Sequence, residues 1–339
     1  MTVVKVTTPS YLCPMTLTEE TAEKMNLLGK LQIPFLFVFD FLMQKPIVLS
    51  LDEINPDEIQ FCISNDTNQV SNSDEKHDKI IFSVKNIDFQ EYKSAFDKVM
   101  FHLKRGDSYL LNLTKPVNIE TNLGLYEIFN RSNAPYKLWM KDQFTVFSPE
   151  PFVKIIDGKI YAFPMKGTID ADLPNAGQKL LADTKELAEH YTIVDLIRND
   201  LNIVAKKVKV DQFRYIEKIA TNRRNLLQTS SVISGNLPAE YASKIGDIIM
   251  ALLPAGSISG APKKKTIEVI VDAEQYNRGY YTGVFGLFDG EKLDSGVMIR
   301  FIEQNDSGMV FKAGGGITVN SKAEDEYQEL LDKVYLPFQ

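Results

Sequence analysis

The chain has 339 residues, 44% hydrophobic and 24% charged, enough for one large or two moderate domains with an ample core. Against 38 basic residues stand 45 acidic ones, and the net charge of −7 excludes the broad basic footprint of a nucleic-acid binder. Two cysteines, Cys13 and Cys62, give neither a disulfide framework nor a metal spacing and read as reduced, cytoplasmic thiols.

The opening "MTVVKVTTPSYL" lacks a basic segment followed by an apolar run, so no signal peptide is expected. "IPFLFVFDFLM" (33–43) is too short to span a bilayer, contains Pro34 and Asp40, and reads as a buried strand; no membrane association is expected. The polar run "SNDTNQVSNSDEKHDK" (64–79) predicts a long exposed loop between two strands. Asp88 and Glu91 have capping-box spacing, apolar residues follow from Phe89 to Leu103 at helical period, and Gly106 ends the helix. Further helices are predicted near 178–200, 239–253, 262–275 and 321–335. Between them, "VKIIDGKIYAF" and "TGVFGLFDGEKLDSGVMIRF" carry hairpin signals. Strands grouped in meanders, with helices interspersed, point to an α+β fold with antiparallel sheets.

In the first hairpin, a two-residue turn at Asp157-Gly158 pairs Ile156 with Lys159 and sets Glu150 opposite Met165, one residue from Lys166. Such an acid and lysine form either a surface ion pair or a proton donor beside an amine nucleophile. In the second meander, turns near Asp289 and Asp306 set Tyr281, Arg300 and the glycines Gly314, Gly315 and Gly316 at one sheet end. The three glycines read either as a plain turn after a strand or as bare backbone that a ligand can approach, beside an arginine that can grip a carboxylate.

Two helices carry acids. Asp183 and Glu186 have capping-box spacing, Glu189 is one turn on, and Ile193 and Ile197 continue their face. The last helix, capped by Ser321 with Glu324, has a stripe of Glu326, Glu329 and Lys333. These glutamates read as helix-terminal or solvated acids, or as ligands of a hard cation such as magnesium. "LLPAGSISGAPKKKTIEVI" (252–270) opens a helix behind a small-residue loop, which reads either as a tight loop with ordinary caps or as an anion-binding helix start.

Together and in order, "SPEPF", "PMKGT", "AEHYTIVDLIRNDL", "GSISGAPK", "RGYYTG", "VMIR", "AGGGI" and "EDEYQELLDK" closely resemble the chorismate-utilising enzymes. That family includes the component I subunits of anthranilate and aminodeoxychorismate synthases and the isochorismate and salicylate synthases. The resemblance covers about 85–339 as the chorismate-binding catalytic region. Residues 1–84, read as strands and a polar loop, join the same domain. It implies one domain of two stacked antiparallel sheets with flanking helices. The lysine of "PMKGT" resembles the aminodeoxychorismate synthases, whereas anthranilate and salicylate synthases have alanine there.

The resemblance implies that Lys166 attacks chorismate and that Glu150 is the acid assisting hydroxyl departure. It implies magnesium held by Glu189 and Glu329, with Glu186 and Glu326 nearby. Substrate binding falls to Thr168, Ser257, Ser259, Tyr281, Arg300, Gly314–Gly316 and Lys333. Ammonia is expected from a separate glutamine amidotransferase subunit, the chain ending at Gln339 just past the last helix. Leu110 stands where hydroxylating relatives carry a lysine, and Gln228 where anthranilate synthases carry a histidine. Tryptophan-binding elements look absent, so tryptophan feedback is not expected. The rival expectations are an anthranilate synthase and a catalytically silent partner that keeps the fold.

Overall fold

"FLFVF" forms strand β1 (Phe35–Phe39), buried at all five positions. Phe35, Phe37 and Phe39 enter one hydrophobic core and Leu36 and Val38 another; with both faces covered, a strand needs apolar residues at consecutive positions. The computed structural model describes residues 15–69, 79–85, 87–219 and 225–338. Cys13 and much of the polar run 64–79 lie outside the described residues.

One sheet runs β11 (Met165–Asp170), β13 (Leu226–Asn236), β10 (Lys159–Ala162), β9 (Pro151–Ile156), β16 (Leu293–Val297), β15 (Val284–Phe288), β1 and β2 (Ile47–Ser50). Strand β12 (Lys206–Ile219) pairs along the length of β13, leaving β10 and β11 to share the opposite edge end to end. The second sheet runs β14 (Gly260–Ala261), β6 (Leu110–Thr121), β18 (Gly308–Ile317), β17 (Phe301–Asn305), β8 (Phe144–Ser148), β7 (Tyr136–Met140), β3 (Ile59–Ile63) and β4 (Asp66–Thr67). Its β5 (Phe82–Val84) pairs with β6. All these pairings are antiparallel.

Leu36, Val38 and Phe285 of the first sheet meet Phe61, Leu138 and Phe301 of the second in a core between them. On the outer face of the first sheet lie α1 (Met15–Lys30), α5 (Thr184–Val204), α6 (Ile245–Leu252) and the single turn α7 (Gly256–Ser259), through Met25, Val194, Ile249 and Ile258. Helix α4 (Ala176–Ala182) packs on β11 and β13. The second sheet is covered by α2 (Phe89–Arg105), α3 (Leu125–Arg131), α8 (Lys263–Glu274) and α9 (Ala323–Asp332), through Val99, Ile128, Ile270 and Leu330. The architecture is therefore the expected α+β arrangement, with both sheets sandwiched between helices. Among the described residues no helix is long and apolar enough to cross a membrane.

Local chemistry explains where elements start and stop. Asp88 caps α2 by accepting from the Gln90 N–H at 2.8 Å, and Gly106 closes it at φ 78°. Glu91 does not complete the capping box; it pairs with Lys115 at 2.7 Å. The predicted 178–200 helix is two, broken at Asp183, whose carboxylate caps α5 through the Glu186 N–H at 3.0 Å. Ser321 does not cap α9: its hydroxyl accepts from the Thr318 N–H, and the helix starts behind Lys322. Helix α1 falls in the stretch read as strands and loop.

The Asp157-Gly158 turn takes positive φ at both residues (50° and 71°), and Ile156 faces Lys159 as expected. The hairpin ends sooner than its register predicts. After Tyr161, opposite Lys154, the chain leaves β9, and β11 pairs with β13 instead. Lys166 therefore faces Thr229 across the ladder, and Glu150 does not stand opposite Met165.

The two shortest passages of the chain between the sheets among the described residues are at Pro149–Glu150, between β8 and β9, and at Met298–Arg300, between β16 and β17. The two passages are bonded together, Val297 N–H donating to the Glu150 carbonyl at 3.0 Å and Phe147 N–H to that of Arg300 at 3.1 Å. Tyr281, expected with Arg300 at one sheet end, lies beside this seam, since Thr282 N–H donates to the Met298 carbonyl.

Behind the seam, Glu274 and Arg278 form a buried bidentate pair, Nη2 to Oε1 at 2.6 Å and Nε to Oε2 at 2.8 Å. Glu274 also accepts from the Thr114 N–H at 2.7 Å, and Arg278 donates to the Asn112 carbonyl at 2.6 Å, tying α8 to β6. Removing one member strands a buried charge. Glu274→Ala is expected to cost about 3–5 kcal/mol in urea denaturation, and loss of less than about 1 kcal/mol would show that the pair does not hold this end of the fold.

Candidate active site

Lys166 is the second residue of β11, and a bulge separates it from Thr168 in the register with β13. The bulge is closed by Gly167 at φ 77°, a left-handed conformation that side chains resist. A Cβ there would also lie 2.7 Å from Glu186 Oε2. A carboxylate thus occupies the flank that the glycine leaves bare. The Thr229 hydroxyl donates to the Lys166 carbonyl, fixing the strand behind the amine.

The amine points into a group of acids. Lys166 Nζ is 2.8 Å from Glu189 Oε2, and Lys185 stands 3.8 Å from the other oxygen. Burial pulls the Lys166 amine down, but Glu189, with Glu329 and Glu186 beyond it, outweighs burial and holds it above the ordinary lysine value. On α9, Glu329 pairs with Lys333 at 2.6 Å, and Lys333 donates to the Gly314 carbonyl at 2.9 Å. A Cβ on Gly315 would meet Glu326 at 3.4 Å, Lys333 at 3.5 Å and Glu329 at 3.6 Å. The glycine run lies inside β18 rather than in a turn after it, opposite Thr114, Leu113 and Asn112.

The four acids differ in charge. Burial raises Glu186, reinforced by Glu189 and Asp183, and raises Glu326, reinforced by Glu329. Burial would also raise Glu329, but Lys333 and Lys166 bring it below the usual value. Lys333 is lowered by burial, with Arg300 and Lys166 adding to the effect. Glu186 Oε2 is buried without a hydrogen-bond partner. Among the described residues no three acid, histidine or cysteine side chains close around a point as they stand; Glu189 and Glu329 are turned to their lysines.

Glu150 sits on the first passage between sheets, its N–H donating to Ser148 Oγ at 3.1 Å. Ser257 donates to Glu150 Oε1 at 2.9 Å. Burial raises the Glu150 carboxyl against the opposing pull of Ser257, Arg300, Lys333 and Lys166. It thus shares the field of Lys166 without an ion pair. Arg300, on the second passage at φ 54°, donates from Nε to the Tyr335 hydroxyl at 3.2 Å and lies over that ring. Tyr281 is buried, and burial holds its hydroxyl well above the usual value.

The fold therefore gathers Lys166, Glu150, Ser257, Arg300, Tyr281, Lys333, Gly314–Gly316 and the four glutamates. Two expected residues stand apart. Thr168 is exposed beyond the bulge, and the buried Ser259 donates to the Ala255 carbonyl of its own turn at 2.8 Å. Sequence reading did not anticipate Tyr335 as the support of Arg300, nor Asp200, which pairs with Lys263 at 2.9 Å. Asp200 continues the α5 stripe of Glu189, Ile193 and Ile197 at helical spacing, a signal that could have found it.

Because Glu186 is raised in the folded chain, its neutral form favours folding and its ionised form costs stability as pH rises through the folded value. Glu186→Gln is therefore expected to be more heat-stable than the wild type at pH 8 and to lose that advantage at pH 4. An advantage independent of pH would exclude charge as its cause.

Comparison with known proteins places these observations in a family. The model described as chorismate binding enzyme matches residues 35–338. An "Uncharacterized PabA-like protein" of Haemophilus influenzae is 50% identical over 317 residues, covering 94% of this chain and 96% of that protein. Aminodeoxychorismate synthase component 1 of Salmonella typhimurium is 33% identical over 261 residues, covering 72% of this chain but 56% of the synthase, so the chain spans little more than half of that relative. Anthranilate synthase component I from Streptococcus pneumoniae matches with TM-score 0.65 at 25% identity, covering 79% of this chain and 61% of that structure. The chain belongs to the chorismate-binding enzyme family.

Proposed function

We propose that the protein is an aminodeoxychorismate synthase component I, converting chorismate and ammonia to 4-amino-4-deoxychorismate, with ammonia released by a glutamine amidotransferase partner. One observation carries this reading: a lysine amine at a strand bulge, 2.8 Å from Glu189 and in the field of a buried, protonation-prone Glu150.

In the first step the deprotonated Lys166 amine forms a bond to ring carbon C2, both ring double bonds shift (C1=C2 to C1=C6 and C5=C6 to C4=C5), and the C4–oxygen bond breaks. Glu150, favoured in its neutral form by burial, gives its proton to the departing hydroxyl, which leaves as water. In the second step ammonia bonds to C4, both double bonds return to their first positions, and the C2–nitrogen bond breaks with its electron pair going to Lys166. The Glu150 carboxylate takes the proton released by the new amine. The sum is chorismate and ammonia in, aminodeoxychorismate and water out, with both residues restored.

Arg300 and Lys333, beside the side-chain-free backbone of Gly314–Gly316, supply positive charge for the substrate carboxylates. Glu186, Glu189, Glu326 and Glu329 would hold Mg2+, and the fit is supported by Glu186 Oε2, a buried oxygen without a partner. When bound, the ion supplies neutralisation of a substrate carboxylate and of the acids around it.

Lys166→Ala is expected to lower turnover with chorismate, ammonium and Mg2+ by at least about a thousandfold. Mass spectrometry with chorismate alone should show a Lys166 adduct in the wild type and none in the variant. Glu150→Gln should slow adduct formation by about 10²–10⁴-fold. Pyruvate and anthranilate as the products would overturn this reading in favour of an anthranilate synthase, and absence of any turnover would leave a silent partner.

A further inference from the structure

Glu150 also lines a cavity that Lys166 does not. This space, about 30 Å³, is bounded by Pro151, Phe163, Ile197 and Gly256, with Ser257 beside Glu150 and Asp200 as a second carboxylate. So small a space suits molecules of the size of water or ammonia rather than a ring-bearing substrate. Its walls are otherwise apolar, including Val153, Ala162, Leu201 and Leu252.

The polar wall is built with care. Asp200 pairs with Lys263 at 2.9 Å, and Lys263 donates to the Leu252 carbonyl at 2.8 Å, anchoring α5 to the loop before α7. Gly256 keeps this wall close, since a Cβ there would lie 2.6 Å from Asp200 Oδ2. The Asp200 and Lys263 side chains are 16% and 21% exposed, so the outer wall reaches water. Glu189, Ile193, Ile197 and Asp200 fall on one face of α5, so the helix that pairs with Lys166 also walls this cavity.

We propose that this cavity is the ammonia-binding pocket of the enzyme, delivering the nucleophile to the substrate from the Glu150 side while Lys166 holds the ring from its own. The inference rests on the proposed amination. Its chemistry follows from the two walls. Ammonia in neutral water is mostly ammonium; the Asp200 carboxylate, its charge offset by Lys263, can accept an N–H at the outer wall, and an apolar interior favours the neutral molecule that can attack. Glu150 lies at the inner wall, where it has just given up a proton and can accept one from the nitrogen that adds at C4. A pocket apart from the lysine also keeps ammonia from competing for the position of the amine at C2.

The test uses ammonium chloride and methylammonium chloride with chorismate and Mg2+, on the whole chain. Ile197→Ala enlarges the cavity and is expected to raise the methylamine-to-ammonia ratio of kcat/KM by roughly tenfold or more, the value of room for one methyl group. Ala162→Val fills it and should raise the KM for ammonium by a similar factor with the KM for chorismate unchanged. In both variants the Lys166 adduct should form with chorismate alone at the wild-type rate, which also reports that they fold. Unchanged ammonium KM and unchanged amine selectivity, with normal adduct formation, would overturn the pocket. So would a parallel loss of adduct formation and ammonium use, which marks these residues as structural only. A wild type that forms neither adduct nor aminodeoxychorismate defeats the proposed reaction itself, and the pocket falls with it.

Discussion

The ion pair between Lys166 and Glu189 is the contact on which the site depends. A free amine and several carboxylates share a space where burial works against every one of their charges. Each is tolerable only because another is present: Lys166 offsets Glu189, Glu186 and Glu329, and Lys333 offsets Glu329. The balance is incomplete, since Glu186 and Glu326 remain raised toward neutrality. The site is thus short of positive charge, a condition suited to binding a cation and costly to the free protein.

The same pairing sets a requirement for chemistry. An amine held above its ordinary value is an ammonium at neutral pH, and an ammonium is no nucleophile. Burial already acts in the opposite direction and is outweighed only by the neighbouring acids. Whatever withdraws negative charge from Glu189 and its neighbours therefore leaves burial to free the amine. On the proposed reading, the resting arrangement would protect the lysine and occupation of the site would prepare it.

Much of this was legible in the sequence, for identifiable reasons. The Asp157-Gly158 turn, the Gly106 stop and the Asp183 cap are fixed by backbone chemistry within a few residues. The unbroken apolar run of β1 announced a strand covered on both faces. The partner of β11 was not legible: Pro164 ends the local hairpin, and Thr229, more than sixty residues on, supplies the next ladder. Nor could sequence tell that Ser259 turns inward while Ser257 reaches Glu150, since two serines on one helical turn differ only in which neighbour is near. Glu150 and Lys166 were paired for the wrong reason: they share a space through the sheet seam and not through a common hairpin.

That seam has a mechanical consequence. Glu150 and Arg300 occupy neighbouring strides between layers, laced together by backbone bonds, whereas Lys166 belongs to one layer alone and the glycine strand to the other. The spacing of Glu150, Lys166 and the glycine strand is therefore governed by how Phe285, Leu287, Phe301 and Leu138 fill the gap between layers. Trimming these aromatic and aliphatic wedges, of which Phe301 also packs on Tyr281, would let the layers settle and alter the reach of the amine.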